Sequence, residues 1–133
     1  MPGAAMSGRR DLVGVLAVLL ATGALLAYRA WGIEPRDWAS LCAGAAPPAA
    51  CGPRAALLWL QHYYVWGAAA LVLGLLAFVG RARWLQPLAV AAGVAAVINY
   101  NATWGMVGAV LGAWAWVTAP RAATCGLWVT SST

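Results

Sequence analysis

Charge is the scarcest feature of this 133-residue sequence. It has no lysine, and charged residues make up 8% of the chain while hydrophobic residues make up 64%. A water-soluble protein of this size needs far more charge to cover its surface. The eight arginines are spread along the chain, whereas a nucleic-acid-binding surface concentrates its basic residues on one face. We therefore expect lipid around most of the surface and no nucleic-acid partner.

Motifs for catalysis and metal binding are also missing. The sequence has one histidine, no glycine-rich phosphate loop after a strand and no His-Glu-x-x-His motif. Glu34 and Asp37 are the only close pair of acidic residues, and no ionisable residue lies deep inside an apolar run. Ionisable side chains within a membrane mark proton and ion pathways. The sequence therefore predicts no metal site and no transport pathway, and a non-enzymatic role is preferred.

Four long apolar runs are what the sequence does contain. They predict helices over residues 12–30, 54–79, 84–100 and 105–119, with an outer loop at 31–53 and a cytoplasmic tail at 120–133. The apolar part of the first run, residues 12–28, spans about 26 Å at 1.5 Å per residue, enough to cross the hydrocarbon. Asn, Thr and Gly between the last two runs indicate a tight hairpin. We expect an all-α, four-helix antiparallel transmembrane bundle, formed as a single domain by residues 1–133.

Arg9 and Arg10 precede the first run and leave two alternatives open. A basic segment before an apolar one is typical of a retained first helix with a cytoplasmic flank, and also of a cleaved signal peptide. Because the run is longer than the apolar segment of a signal peptide, we favour the retained helix.

The arginines near the ends of the runs predict the orientation. With both termini in the cytoplasm, the inner side holds Arg9, Arg10, Arg81, Arg83 and Arg121, and the outer side holds Arg29, Arg36 and Arg54. This excess of inner arginines favours cytoplasmic N- and C-termini, and tryptophans and tyrosines fall at both boundaries as interfacial aromatic residues do. The lysine-free, Ala- and Arg-rich composition is typical of a high-GC bacterial genome, so we expect a bacterial inner-membrane protein.

Small residues recur at helical spacing in the last three runs. Gly108 and Gly112 form a GxxxG motif with Gly105 one turn earlier, and Gly93 and Gly74 belong to similar pairs. In lipid, helices gain little hydrophobic free energy from association, so they approach closely through small residues. We expect these five glycines to pack three helices of one chain together; a dimerisation face is the alternative.

Cys42 and Cys51 flank a proline-containing loop that faces the periplasm in this orientation, where disulfides persist. A structural disulfide is the default interpretation, and closing a loop of about ten residues contributes roughly 2.5–3 kcal/mol in the chain-entropy model. The alternative is a redox-active pair. In helix count and outer-loop cysteines the chain resembles membrane thiol oxidoreductases of the DsbB and vitamin K epoxide reductase types. However, it has no Cys-x-x-Cys, and Cys125 falls on the opposite side.

A small polar site is expected beneath that loop. Gln61, His62 and Tyr63 lie near the outer end of the second run, at a depth similar to Asn99 and Asn101 in the third. Polar side chains inside a membrane bundle are costly and often functional. Structural hydrogen bonding is the main interpretation and no cofactor is predicted; the alternative is a quinone or haem contact through His62. A two-histidine haem site is excluded, because the chain has one histidine.

Three functional hypotheses follow. The first is a small, non-catalytic accessory or scaffold subunit of a larger membrane complex, respiratory or photosynthetic, whose partners are the bilayer and other membrane subunits. The second is a periplasm-facing thiol or quinone oxidoreductase that uses Cys42, Cys51 and the polar site around His62. The third is a small membrane protein that binds a lipid or another hydrophobic molecule.

Overall fold

The computed structural model describes residues 8–80 and 82–119. Within these ranges the chain forms six α-helices and no strand, which confirms the all-α expectation for this part of the sequence. The helices are α1 (Gly8–Tyr28), α2 (Asp37–Cys42), α3 (Cys51–His62), α4 (Val65–Gly80), α5 (Leu85–Ile98) and α6 (Ala102–Thr118). A π-helical turn, Arg29–Ile33, follows α1 directly. The expected tail at 120–133, with Arg121 and Cys125, and Arg81 lie outside the described residues.

Helix length supports fewer membrane spans than the four expected. Among the described residues, one continuous helix, Gly8–Ile33, is long and apolar enough to cross a membrane. The pair α3 and α4 provides a second span if its two helices, bent by 66°, are counted together. The helices α5 and α6 have 14 and 17 residues, against about 20 for a typical span. Helix α5 is shorter than the predicted 84–100, whereas α6 begins three residues before the predicted 105–119.

The prediction of one helix over residues 54–79 is wrong. The structure has two helices there, α3 and α4. Helix α3 ends at His62, and Tyr64 adopts a left-handed φ of 56° before α4 begins. The Gln61 carbonyl at this break accepts hydrogen bonds from the Tyr64 N–H, at 3.2 Å, and from Asn101 Nδ2, at 3.3 Å. Asn101, which is distant in sequence, therefore supplies a hydrogen bond to a backbone carbonyl at the break between α3 and α4. The expected outer loop at 31–53 likewise contains α2.

The interior of the bundle consists of small residues. Helices α4, α5 and α6 pack against one another, and α1 packs against α5. No large side chain among the described residues is fully buried, and the buried apolar side chains are those of Ala70, Ala77, Ala89, Ala95, Ala96 and Ala115. Large apolar side chains on all four of these helices point outward, for example Leu16, Leu76, Leu88 and Val110. Small side chains therefore fill the interior of the bundle, and large ones cover its surface.

The contact between α4 and α6 depends on two glycines and an alanine. A Cβ atom placed on Gly74 would lie 2.5 Å from the carbonyl oxygen of Gly108, and one on Gly108 would overlap the carbonyl of Ala70. Real Cβ atoms essentially never approach within 3.0 Å of such atoms. Any side chain at Gly74 or Gly108 would therefore push the two helices apart.

The contact between α5 and α6 is formed in the same way. A Cβ atom on Gly93 would lie 2.6 Å from the Gly105 carbonyl oxygen, and one on Gly105 would lie 2.6 Å from Cβ of Ala96. About two helical turns after Gly105, a Cβ atom on Gly112 would lie 2.7 Å from Cβ of Ala89. The five glycines expected at helix contacts therefore lie on two faces of α6 and on the helices opposite them.

Candidate functional site

Cys42 and Cys51 are joined by a disulfide with an S–S distance of 2.05 Å and a Cα–Cα distance of 5.7 Å. The bond connects the last residue of α2 to the first residue of α3. Arg54, one turn into α3, donates from Nε to the Gly32 carbonyl at 3.2 Å. The segment between α1 and α3 is therefore held to α3 at two points.

His62 lies far from the disulfide along α3. Cys51 is the first residue of α3 and His62 is the last, so about 16 Å of helix separates them at 1.5 Å per residue. The exposed His62 ring packs edge-on against Tyr63, with centroids 5.1 Å apart, and Tyr63 packs on Trp59 at 4.8 Å. The oxidoreductase hypothesis requires His62 to lie beside the sulfur atoms. The structure keeps the two apart.

The two asparagines of the expected polar site are buried, each 4% exposed. Asn99 donates from Nδ2 to the Ala95 carbonyl at 2.8 Å. Asn101 donates from Nδ2 to the Asn99 carbonyl, at 3.0 Å, as well as to Gln61. These bonds connect the α5–α6 turn to the α3–α4 turn. The oxygen of the Asn101 amide is buried and has no hydrogen-bond partner among the described residues.

The expected polar site is therefore divided into two parts. A cleft of about 340 Å³ opens beside the two turns, and it is lined by Leu58, Gln61, His62, Tyr64 and Tyr100. Asn99 and Asn101 lie behind it and do not line it. The exposed part contains the histidine and two tyrosines, and the buried part performs structural hydrogen bonding.

Arg29 organises the same end of the bundle, a role that the sequence did not reveal beyond its charge. Its Nε donates to Glu34 Oε1 at 3.0 Å, a second N–H group donates to the Ile98 carbonyl, and the guanidinium lies 4.1 Å from the centroid of the Tyr100 ring. The Arg29 side chain is only 12% exposed. Because Ile98 ends α5, the cation lies at the negative end of that helix dipole. The sequence contains one indication of this role: Arg29 ends the first apolar run, and Glu34 follows it by five residues.

The opposite end of α1 is also anchored. Trp116 of α6 lies against Gly14, where a Cβ atom would come within 2.8 Å of its ring, and its Nε1 donates to Asp11 Oδ1 at 3.2 Å. Helix α1 is therefore held near its start by Asp11 and just after its end by Arg29.

Between these two anchors, an open apolar groove separates α1 from α5 and α6. It has a volume of about 270 Å³ and is lined by Thr22 and aliphatic or thioether side chains, including Leu26, Val94, Ile98, Met106 and Val110. The Thr22 hydroxyl donates to the Val18 carbonyl at 2.7 Å. The groove surface is therefore suited to hydrocarbon.

Neither a metal-binding group among the described residues nor a related protein indicates which reaction or ligand belongs to this chain. Within residues 8–80 and 82–119, no group of three or more His, Cys, Asp or Glu side chains could hold a metal ion. No protein-family model, no curated protein and no solved structure matches this chain. The features of the described residues that bear on function are the disulfide-closed segment, the cleft beside His62, the Arg29 junction and the apolar groove.

Proposed function

We propose that the chain is an integral membrane protein and that it acts as a non-catalytic accessory subunit of a larger membrane complex. The observation that carries this proposal is the distribution of side-chain size, with glycine and alanine inside the bundle and leucine, valine and tryptophan on its surface. Soluble monomers rarely expose contiguous apolar surface of this extent. Lipid chains or the helices of partner subunits are suitable neighbours for it.

The short helices are compatible with a bilayer in this proposal. A helix with too short an apolar stretch is accommodated by local thinning of the bilayer or by association with other helices, at a modest cost per ångström. Helix α3 is bent by 66° from α4, which lays it close to the membrane plane when α4 follows the membrane normal. Exposed Trp31, Trp59, Tyr63, Tyr64 and Tyr100 at this end suit an interfacial position.

The disulfide supports the proposed orientation. Cys42 and Cys51 lie at the Arg29 end of the bundle, opposite the start of α1 at Gly8. Disulfides persist in the bacterial periplasm and are rare in the cytoplasm. We therefore place the Arg29 end outside and the N-terminus inside a bacterial inner membrane, as the count of arginines favours.

The oxidoreductase alternative has less support. A thiol–quinone relay through Cys42, Cys51 and His62 requires these groups to be close, whereas α3 holds the histidine about 16 Å from Cys51. The remaining alternative, binding of a lipid or another hydrophobic molecule, is favoured by the groove between α1 and the α5–α6 pair and is compatible with the subunit role.

Purification in mild detergent tests the proposal. The chain is tagged at its native level of expression, and co-migrating proteins are identified by mass spectrometry alongside a visible spectrum of the peak. An unrelated tagged inner-membrane protein is the control. We expect reproducible, stoichiometric partner subunits that are absent from the control. A lone protein carrying bound quinone or haem would contradict the subunit role.

A further inference from the structure

We propose that the groove between α1 and the α5–α6 pair binds one acyl chain of an anionic phospholipid, whose phosphate is held at Arg29. This inference rests on the proposed membrane location and adds a specific ligand to it. Two observations support it: the shape and lining of the groove, and the arginine at its end.

The groove runs along the helices. Its walls are built from pairs spaced four residues apart, which places both members of each pair on the same face of a helix: Thr22 and Leu26, Val94 and Ile98, Met106 and Val110. The groove has a volume of about 270 Å³, and the one hydroxyl that lines it, that of Thr22, is already bonded to the Val18 carbonyl. An extended hydrocarbon chain is narrow enough to lie in it.

Arg29 lies at the end of this groove. It follows Leu26, a lining residue, by three positions on the same helical segment, and it donates to the carbonyl of Ile98, another lining residue. A guanidinium has five N–H donors, and the bonds to Glu34 and Ile98 engage two of them. Arginine binds phosphate strongly because its paired N–H groups match the phosphate oxygens. An apolar groove that ends at an arginine complements a phospholipid with a negative head group.

Glu34 is the group that competes with such a phosphate. Its side chain is 59% exposed, while that of Arg29 is 12% exposed, and their pair is joined by one contact at 3.0 Å. Exposed ion pairs contribute little free energy. A phosphate can therefore share or replace the carboxylate at Arg29. Removal of the Glu34 charge should strengthen binding of phosphatidylglycerol and leave binding of a lipid without a phosphate unchanged.

The first test measures lipid binding to the delipidated full-length chain in detergent. Native mass spectrometry follows a titration with phosphatidylglycerol and, separately, with diacylglycerol, which has the same acyl chains and no phosphate. We expect one tightly bound phosphatidylglycerol per chain, with about tenfold lower affinity for diacylglycerol, the effect of one charge-assisted contact. Equal binding of the two lipids would overturn the proposal.

A matched pair of variants tests the groove itself. Val110→Trp fills the groove, whereas Val107→Trp adds the same bulk to the same helix outside the lining. Both positions are exposed, Val110 by 60% and Val107 by 44%, so both variants should fold. Val110→Trp should lower phosphatidylglycerol affinity about tenfold and Val107→Trp should not. An equal effect of both variants, or loss of a bound protein instead of a lipid in Val110→Trp, would overturn the assignment of an acyl chain.

Two charge variants test the position of the phosphate. Arg29→Gln should abolish the preference for phosphatidylglycerol over diacylglycerol, and Glu34→Gln should increase it. Glu34→Gln leaves the bond from Arg29 to Ile98 in place, so this variant should fold. Its effect on lipid preference can therefore be measured even if Arg29→Gln does not fold. An unchanged preference in Glu34→Gln and Arg29→Gln would place the phosphate elsewhere. A chain that remains in membranes after alkaline carbonate extraction, yet shows no lipid preference, refutes this inference alone; a chain that is extracted refutes the proposed function.

Discussion

The guanidinium of Arg29 donates a hydrogen bond to the backbone carbonyl of Ile98 and so joins the end of α1 to the end of α5. The two residues are 69 positions apart in the sequence. Helix α1 otherwise meets the bundle mainly along α5, where the apolar groove interrupts the packing. The position of α1 therefore depends on this junction and on the bond between Trp116 and Asp11.

Loss of the arginine should loosen α1. We expect Arg29→Gln to lower the free energy of unfolding by about 2 kcal/mol, since a hydrogen bond to a charged group contributes roughly 1.5–3 kcal/mol. Arg36→Gln, which removes an exposed arginine from the following segment, is the control and should change it by less than about 0.5 kcal/mol. Thermal unfolding in detergent measures both. Equal effects of the two variants would show that the junction does not stabilise α1.

The close contact between α4 and α6 should not tolerate even a methyl group. Gly108→Ala places a Cβ atom against the backbone of Ala70, and such overpacking costs about 1–3 kcal/mol. Gly23→Ala is the matched control, because a Cβ atom on Gly23 in α1 meets nothing within 4 Å. Alanine's higher helix propensity should make that variant neutral or more stable by up to about 1 kcal/mol. The midpoint of thermal unfolding compares the two, and a stable Gly108→Ala protein would contradict this helix contact.

A structural disulfide and a redox-active one differ in how Cys42 and Cys51 respond to thiol reagents. In a Cys125→Ser background, we expect neither cysteine to react with maleimide in intact cells until a reductant is added. Cys51→Ser should expose the Cys42 thiol and lower stability by roughly 2–4 kcal/mol. A fraction of reduced protein that rises and falls with the respiratory state of the cells would instead support redox cycling.

The two parts of the polar site should respond differently to mutation. Asn101→Ala removes the donor to the Gln61 and Asn99 carbonyls and should cost about 1–3 kcal/mol, because the Asn99 carbonyl loses this donor and the Gln61 carbonyl keeps only the Tyr64 N–H. His62→Phe replaces an exposed ring and should leave stability and partner binding unchanged. Thermal unfolding and co-purification measure these effects. Loss of partners or of a bound cofactor in His62→Phe would give the histidine a functional role.

Composition and helical periodicity were sufficient to predict that residues 8–80 and 82–119 form helices and no strand. The glycines that the sequence indicates as packing residues lie between α4, α5 and α6. The bend at Tyr64 could not be predicted in this way, since no glycine or proline marks it. It depends on Asn101, whose contact with Gln61 exists only after the α5–α6 turn has been placed. The role of Arg29 was hidden for the same reason, because its partners Ile98 and Tyr100 are distant in sequence.

In the proposed membrane subunit, lipid or partner helices, and not water, cover the large outward-facing side chains. Single cysteines in a Cys125→Ser background test it most directly, with a water-soluble maleimide applied to intact membranes. Leu76→Cys lies on the outer face of α4, where leucine is 51% exposed, and Ser40→Cys is an exposed position in α2. We expect rapid labelling of Ser40→Cys, and labelling of Leu76→Cys only after the membrane is dissolved. Labelling of Leu76→Cys as fast as Ser40→Cys in intact membranes would contradict it.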